Sequence, residues 1–337
     1  MYGSHQSPRY DIYIIRIRFH FRRRLFAMLK ILLRSFLFSA LVTPAFAQDF
    51  KIITLGDMPY GDPAMVYPPY EALIEAINQK AVDLVIHVGD TKGGGSCSDR
   101  ILNDQLRYMN SFSAPLIYTP GDNEWTDCAH MTGGADDPIE RLAYIRNTYF
   151  SEPSTSFGVH KISLEHQGEI GFPENARFTK DGITVISAHV VGSNNNLQAT
   201  DIASVEEFFS RSKATTEWMV GSFDAAMRSD IIVLAIHADM FEFDFNEFNG
   251  ERWLRHSGFS EFGYALQRAA RKFAKPVLLV FGDSHVHKVF KPFPQSAPNV
   301  TAMEVYGYHE MHAVEITISP KEIDPFRFQT VWNPTKP

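Results

Sequence analysis

Residues 82–90 read V-D-L-V-I-H-V-G-D. Apart from Asp83 and His87, the run is apolar and mostly β-branched, shows no polar–apolar alternation, and stops at Gly89-Asp90. A strand of that kind is buried on both faces, as in parallel sheets covered by helices. Upstream, residues 50–55 (F-K-I-I-T-L) form a second such strand ending in Gly56-Asp57. Between the two, residues 70–79 read as a helix, with apolar side chains at 70, 73, 74 and 77. Downstream come a helix at 99–112, a short strand at 116–118 and a helix at 138–150 with Pro138 in its first turn. Strands follow at 183–188, 231–236 and 277–281, helices at 202–227 and 259–273, and a final strand pair at 302–306 and 312–318. Strands alternating with helices define the α/β class. No internal repeat and no long linker divides residues 48–337, so one domain is expected.

Several strands end alike. The first leads to Asp57, the second to Asp90, and the third to T-P-G-D-N-E, which contains Asp122, Asn123 and Glu124. Residues 231–236 lead to His237 and Asp239, and residues 277–281 lead to G-D-S-H-V-H, with Asp283, His285 and His287. Side chains just past the carboxyl ends of strands converge on one crevice in open α/β sheets. Carboxylates and imidazoles gathered there suit one or two divalent cations. One such Asp alone is as readily a cap of the following turn, and a lone His237 a satisfied structural histidine. The repetition at five strand ends is what points to metal.

In that order the chain resembles the calcineurin-like metallophosphoesterase superfamily, whose pattern is D-x-H, G-D, G-N-H-[DE], a strand-end H, then G-H-x-H. The resemblance runs from about Lys51 to Ile318 and implies a two-layer β sandwich flanked by helices (α/β/β/α). It places one metal among Asp57, Asp90 and His285, and a second among Asp90, Asp122, His237 and Asp283, with Asp90 shared. Pro59 stands where the pattern has its first histidine, Asp122 for Asn, Asn123 for the histidine near the leaving group, and Asp283 for the first histidine of G-H-x-H. The two extra aspartates shift the expected metals from Zn or Fe toward Mn, Mg or Ca. His287 is an alternative ligand if the last motif is read as H-V-H.

The resemblance implies hydrolysis of a phosphomonoester or diester by hydroxide held between two divalent metals; Asp90 and Asn123 are candidate catalytic residues by position in the pattern, and His189, at a strand end, is a third from the residues themselves. Asn123 can donate a hydrogen bond to a phosphoryl oxygen but cannot protonate a leaving alkoxide. His189 is a candidate for that proton and is equally readable as a structural histidine heading a polar loop. The alternative is a non-catalytic protein that binds metal or a phosphorylated ligand on the same scaffold. Three loops invite attention. Lys92-Gly-Gly-Gly offers backbone N–H groups and a cation to phosphate but lacks the G-K-[ST] of a P-loop. Residues 192–196 read as an Asn-rich turn. Residues 240–253 alternate aromatic and acidic side chains, as a lid, a sugar or nucleoside platform, or an edge hairpin would.

The 337 residues, 45% hydrophobic and 21% charged, exclude a disordered or collagen-like chain, and two cysteines exclude a thiolate-rich zinc cluster. The net charge of -7 is uneven. Residues 1–47 hold eight Lys or Arg and one acid, Asp11, leaving 24 basic against 38 acidic side chains, a balance of -14. From Met28 the sequence runs M-L-K-I-L-L-R-S-F-L-F-S-A-L-V-T-P-A-F-A, a basic start, an apolar stretch and small residues at Ala45 and Ala47. Residues 1–47 therefore read as a cleaved signal peptide. Residues 1–27 read as an over-extended start or a long basic n-region. An uncleaved anchor is the competing reading. The expected location is periplasmic or secreted, where Cys97 and Cys128 can pair; two free thiols are the alternative. The acidic mature chain, without basic clusters, argues against nucleic-acid partners and for a small phosphorylated substrate, with no membrane association after cleavage. Oligomeric state is not legible.

Overall fold

The parallel pair expected from the first two strands is present. In the computed structural model, which describes residues 49–129, 136–241 and 257–336, β1 (Phe50–Leu55) lies parallel to β2 (Leu84–His87), with Ile52 opposite Leu84. Helix α1 (Pro63–Asn78) makes the crossover. It begins before residue 70. Asp62 caps it by accepting the Ala64 N–H, and Pro63 fits the first turn, where no amide donor is needed. The pair Pro68-Pro69, which makes the later start look right, lies inside the helix. Helix α2 (Asp99–Met109) then leads to β3 (Leu116–Tyr118), again parallel. β11 (Ala313–Ile318) pairs antiparallel with β1, and β12 (Phe326–Val331) completes a five-stranded sheet of order β12-β11-β1-β2-β3.

The second sheet has seven strands in the order β4-β5-β6-β7-β8-β10-β9. Its parallel centre is β6 (Ile183–Ser187), β7 (Ile231–Ala235), β8 (Val277–Phe281) and β10 (Val300–Glu304). α4 (Ile202–Ala225) and α5 (Ser260–Phe273) are the crossovers. The edges are the antiparallel strands β4 (Glu165–Gln167), β5 (Phe172–Lys180) and β9 (Lys288–Phe290). Helix α3 (Pro138–Tyr149), capped by Asp137, begins at the expected proline.

Three apolar layers show how the sheets stack. Ile52, Leu84 and Ile86 of one sheet share a buried cluster with Val185, Val233 and Leu278 of the other. The alternate residues Ile53 and Val85 turn away, onto Tyr70, Leu73 and Leu102 of α1 and α2. Ile232, Leu234 and Leu279 likewise face Phe223 of α4 and Leu266 of α5. Side chains that alternate between two dry faces explain the unbroken apolar runs, and the result is the α/β/β/α sandwich. No helix among the described residues is long and apolar enough to cross a membrane. Residues 1–48 and most of the 240–253 loop lie outside the described residues, so the readings made on them stand as expectations; Met240 and Phe241 are buried.

Candidate metal centre

The carboxyl ends of β1, β2 and β3 in one sheet, and of β7 and β8 in the other, deliver their acids and imidazoles to one place. Ligand atoms of Asp57, Asp90 and His285 lie within 4.8 Å of one another, and so do those of Asp90, Asp122 and His237. Asp90 belongs to both groups. His237 Nε2 is 3.3 Å from Asp122 Oδ1, 3.5 Å from Asp90 Oδ1 and 3.9 Å from Asp283 Oδ1, which brings Asp283 to the rim of the second group. His285 Nε2 is 3.7 Å from Asp57 Oδ1. His287 is elsewhere: its Nδ1 bonds the Glu304 carbonyl at 2.7 Å and its ring stacks on Tyr306.

Backbone shape does much of the positioning. Asp57, Asp90, Asp283 and His285 have φ of 54°, 53°, 82° and 62°, the left-handed region that non-glycine residues rarely occupy. Glycines supply the close approaches: a Cβ on Gly121 would collide with Asp90, and one on Gly192 with Asp122. His237 Nδ1 faces the Val88 carbonyl at 2.8 Å. If that nitrogen carries the proton, Nε2 presents its lone pair to the carboxylates, as a metal-binding imidazole requires.

The charges are crowded. Burial pushes the Asp57 carboxyl up to about 7, against the pull of His237. Burial, reinforced by Asp122 and Glu124, holds Asp90 well above the ordinary carboxylate value although His237 opposes it. Asp122 goes the other way: burial would raise it, but its hydrogen bond and charge attraction to His237 bring it below the usual value. Burial would depress His237, yet Asp90, Asp122 and Asp283 together push it well up. Burial, aided by His237, lowers His285.

Several residues at the centre carry no motif. The Tyr60 hydroxyl donates to Asp90 Oδ2 at 2.5 Å, and its ring stacks on Tyr308 (4.8 Å) edge-on to His285. Burial and the nearby Asp90 keep the phenol well above its ordinary pKa, so it stays a donor. Asn123 donates its backbone N–H to Asp90 Oδ1 at 2.9 Å, and its amide donates to Asp90 Oδ2 and to the Tyr60 oxygen. Glu124 points away from the cluster. It is fully buried and accepts the N–H groups of Asp90, Thr91 and Gly121, clamping the β2 and β3 loops together. The disulfide Cys97–Cys128 ties the same two loops, with Cα atoms 5.9 Å apart. Burial lowers the Lys92 ammonium, with Glu124 and Asp90 acting against that shift.

The loop that carries Asp283 and His285 has its own support. Buried Asp239 and Glu304 share Lys288 at 2.7 and 2.8 Å, and both accept from the Ser284 hydroxyl. In the Asn-rich turn, residues 193–196 are all left-handed, which Asn tolerates best. Ser193 Oγ lies 3.1 Å from Asp122 Oδ2. No sequence spacing marks Tyr60, Ser193 or Glu304. Only Tyr60 offered a trace, as the aromatic residue in Asp57-Met-Pro-Tyr.

His189 is a correction. As a proton donor to a leaving group it would have to reach the substrate, but it is fully enclosed. Its Nδ1 pairs with Glu174 at 2.8 Å and its ring lies against Trp125. Burial drops its pKa to about 4, so near neutrality it is an uncharged structural imidazole.

The residues present fit two divalent cations. Among the described residues Asp57 Oδ2 is buried without a hydrogen-bond partner, beside two ligand groups that share one carboxylate. An unsatisfied buried carboxylate oxygen is costly in a dry interior and is satisfied by a coordinated cation. A family model, calcineurin-like phosphoesterase, matches residues 50–288, from β1 to the start of β9. No curated protein matches the chain.

Proposed function

The chain belongs to the calcineurin-like phosphoesterase family, and from that membership we propose that it is an exported, metal-dependent hydrolase of small phosphomono- or diesters. One observation carries the reading: two ligand groups meet at Asp90 while the neighbouring Asp57 Oδ2 finds no hydrogen-bond partner among the described residues. Asp57, Asp90 and His285 would hold one cation, and Asp90, Asp122 and His237, with Asp283 at the rim, the other. When bound, such ions supply positive charge to the transferring phosphoryl group and acidify the attacking water. The donor set, rich in carboxylate oxygen, favours Mn, Mg or Ca over Zn or Fe.

The protein's own part is positioning. Tyr60 and Asn123 fix Asp90 from one side, and Val88 fixes the His237 ring from the other. Both amide hydrogens of Asn123 have acceptors, Asp90 and Tyr60, and an amide in any case gives up no proton. Asn123 therefore orients a phosphoester without protonating its leaving group.

Export is supported by the signal-like segment at 1–47 and by the disulfide, a bond that persists in oxidising compartments. The acidic balance beyond residue 47 supports a small substrate over nucleic acid.

The test is turnover of p-nitrophenyl phosphate and bis-p-nitrophenyl phosphate by the disulfide-intact protein, before and after chelation, with metal content measured alongside. The expected result is metal-dependent hydrolysis that Asp90→Asn abolishes together with metal binding. Stoichiometric metal without turnover would favour the second reading, a non-catalytic binding protein, which the engaged amide of Asn123 makes worth carrying.

A further inference from the structure

We propose that a cleft beside the metal centre binds a second anionic group of the substrate, a phosphate or carboxylate carried away from the bond that is cut. The proposal rests on the phosphoesterase reading and narrows its substrate class to phosphoesters with two anionic groups. The cleft lies between residues 92–96 and the start of α1, has a volume of about 90 Å³, and is lined by Pro59, Gly61, Tyr67, Lys92, Ser96 and Gln105. Water takes about 30 Å³ in the liquid, so a phosphate-sized group fits.

The lining is built for an anion. Lys92 is only 5% exposed. Its ammonium donates to the Asn123 carbonyl at 2.6 Å, and among the described residues no carboxylate lies within salt-bridge distance of it. An ammonium has three donors, and the Asn123 carbonyl takes one, so two remain for a ligand. The backbone N–H groups of Gly93, Gly94, Gly95 and Ser96 find no protein acceptor among the described residues. Helix α2 opens next, with no side-chain cap from Ser98, and its Ile101 also reaches the cleft. Consecutive free amides at a helix start favour oxyanions.

The cleft adjoins the centre. Lys92 follows Asp90 by two residues, which puts their Cα atoms within about 7.6 Å. A Cβ on Gly93 would come within 2.8 Å of Tyr60, so the loop rests on the ring whose hydroxyl holds Asp90. Asp90, Asp122, Glu124 and Asp127 act on Lys92 from beyond contact, and cations bound next door would offset their repulsion of an incoming anion. One substrate could thus place one phosphate at the metals and a second anion in the cleft.

The experiment compares inhibition of p-nitrophenyl phosphate turnover by propyl phosphate and by alkanediol bisphosphates with two to six carbons between the phosphates. It uses the metal-loaded protein and the variants Lys92→Met and Ser96→Asp. Aspartate at 96 keeps an acceptor for the Ser98 N–H, 3.2 Å away in the native chain, and brings a negative charge to the cleft. The expected result is at least one bisphosphate binding about tenfold more tightly than propyl phosphate, with that advantage falling toward one in both variants. Equal inhibition at every spacer length, or an advantage that survives Ser96→Asp, overturns the proposal. If no turnover is found, the phosphoesterase reading has failed and calorimetry of the same ligands decides the cleft separately. A Ser96→Asp-sensitive advantage then sustains it, and none overturns it.

Discussion

Asp90 is the most constrained side chain of the centre, held through Oδ2 by Tyr60 and Asn123 and through Oδ1 by the Asn123 N–H. Groups that orient a ligand typically change metal affinity about 10–100-fold when lost. Tyr60→Phe keeps the ring on Tyr308 and removes only the hydroxyl, so metal affinity measured by calorimetry is expected to fall by about tenfold or more, with the melting temperature of the metal-free protein nearly unchanged. Because neither Asn123 nor the enclosed His189 gives up a proton at the site, aryl phosphates with acidic phenols should turn over far faster than alkyl phosphates of similar size. Equal kcat/KM for the two would mean that another group supplies the proton. The six candidate ligands could be picked out because each follows a strand of recognisable composition in a recognisable order. Tyr60 was not, because what places its hydroxyl is a bend of the chain and a ring stack on Tyr308, more than 240 residues away in sequence. His189 misled for the opposite reason: it sits at a strand end like the ligands, but its side chain turns into the interior.

The two loops that carry Asp90 and Asp122 are joined by Glu124 and by the Cys97–Cys128 bond. The bridge spans 31 residues, which in the chain-entropy model corresponds to about 3–4 kcal/mol. The double variant Cys97→Ser/Cys128→Ser is expected to lose stability of that order in urea titration and to bind metal more weakly, since hydrogen bonds from Glu124, Asn123 and Lys92 then hold the loops without a covalent tie. A double variant as stable as the native chain would show that the reduced chain keeps these loops together unaided. Legibility differed sharply among elements. The central strands β1, β2, β7 and β8 stood out because both their faces are dry. β5, F-P-E-N-A-R-F-T-K, was missed because buried Glu174 and Asn175 make an interior strand look like a loop. β12 was missed because an edge strand with alternating exposure has few apolar residues to show.

Across the layers, Arg146 of α3, Glu174 of β5 and His189 beyond β6 form one interior ionic group. Burial raises the Glu174 carboxyl, but Arg146 outweighs it, with help from the His189 hydrogen bond, and holds it at about 2. Burial lowers His189 to about 4. The two signs agree. Below the ordinary histidine value of about 6.5 the unfolded chain takes up a proton at position 189 that the native chain refuses until about 4, so stability falls over that window. Below the ordinary glutamate value of about 4.5 the unfolded chain also protonates residue 174, and the loss continues toward about 2. Through this group urea stability should decline as pH drops below 6.5, while Asp57, whose carboxyl burial raises to about 7, acts in the opposite sense. The difference between the native and His189→Gln curves, which cancels the contribution of the metal-centre acids, should show the decline between 6.5 and 4. A difference independent of pH would mean that His189 protonates in the native state as readily as in the unfolded one. The sandwich itself followed from the family pattern, whereas this ionic group, made of residues from three separate elements, left no mark in the sequence.

The left-handed backbone at Asp57, Asp90 and Asp283 bears on how such a chain could drift. Of the uncharged residues, Asn and Gly accept that backbone most readily, and most other replacements would strain the turn as well as remove the charge. A lineage released from metal chemistry would therefore shed these acids first to Asn or Gly, keeping its shape. Asparagine or glycine at 57, 90 or 283 in an otherwise similar chain would be the signature of a scaffold that had outlived its ions.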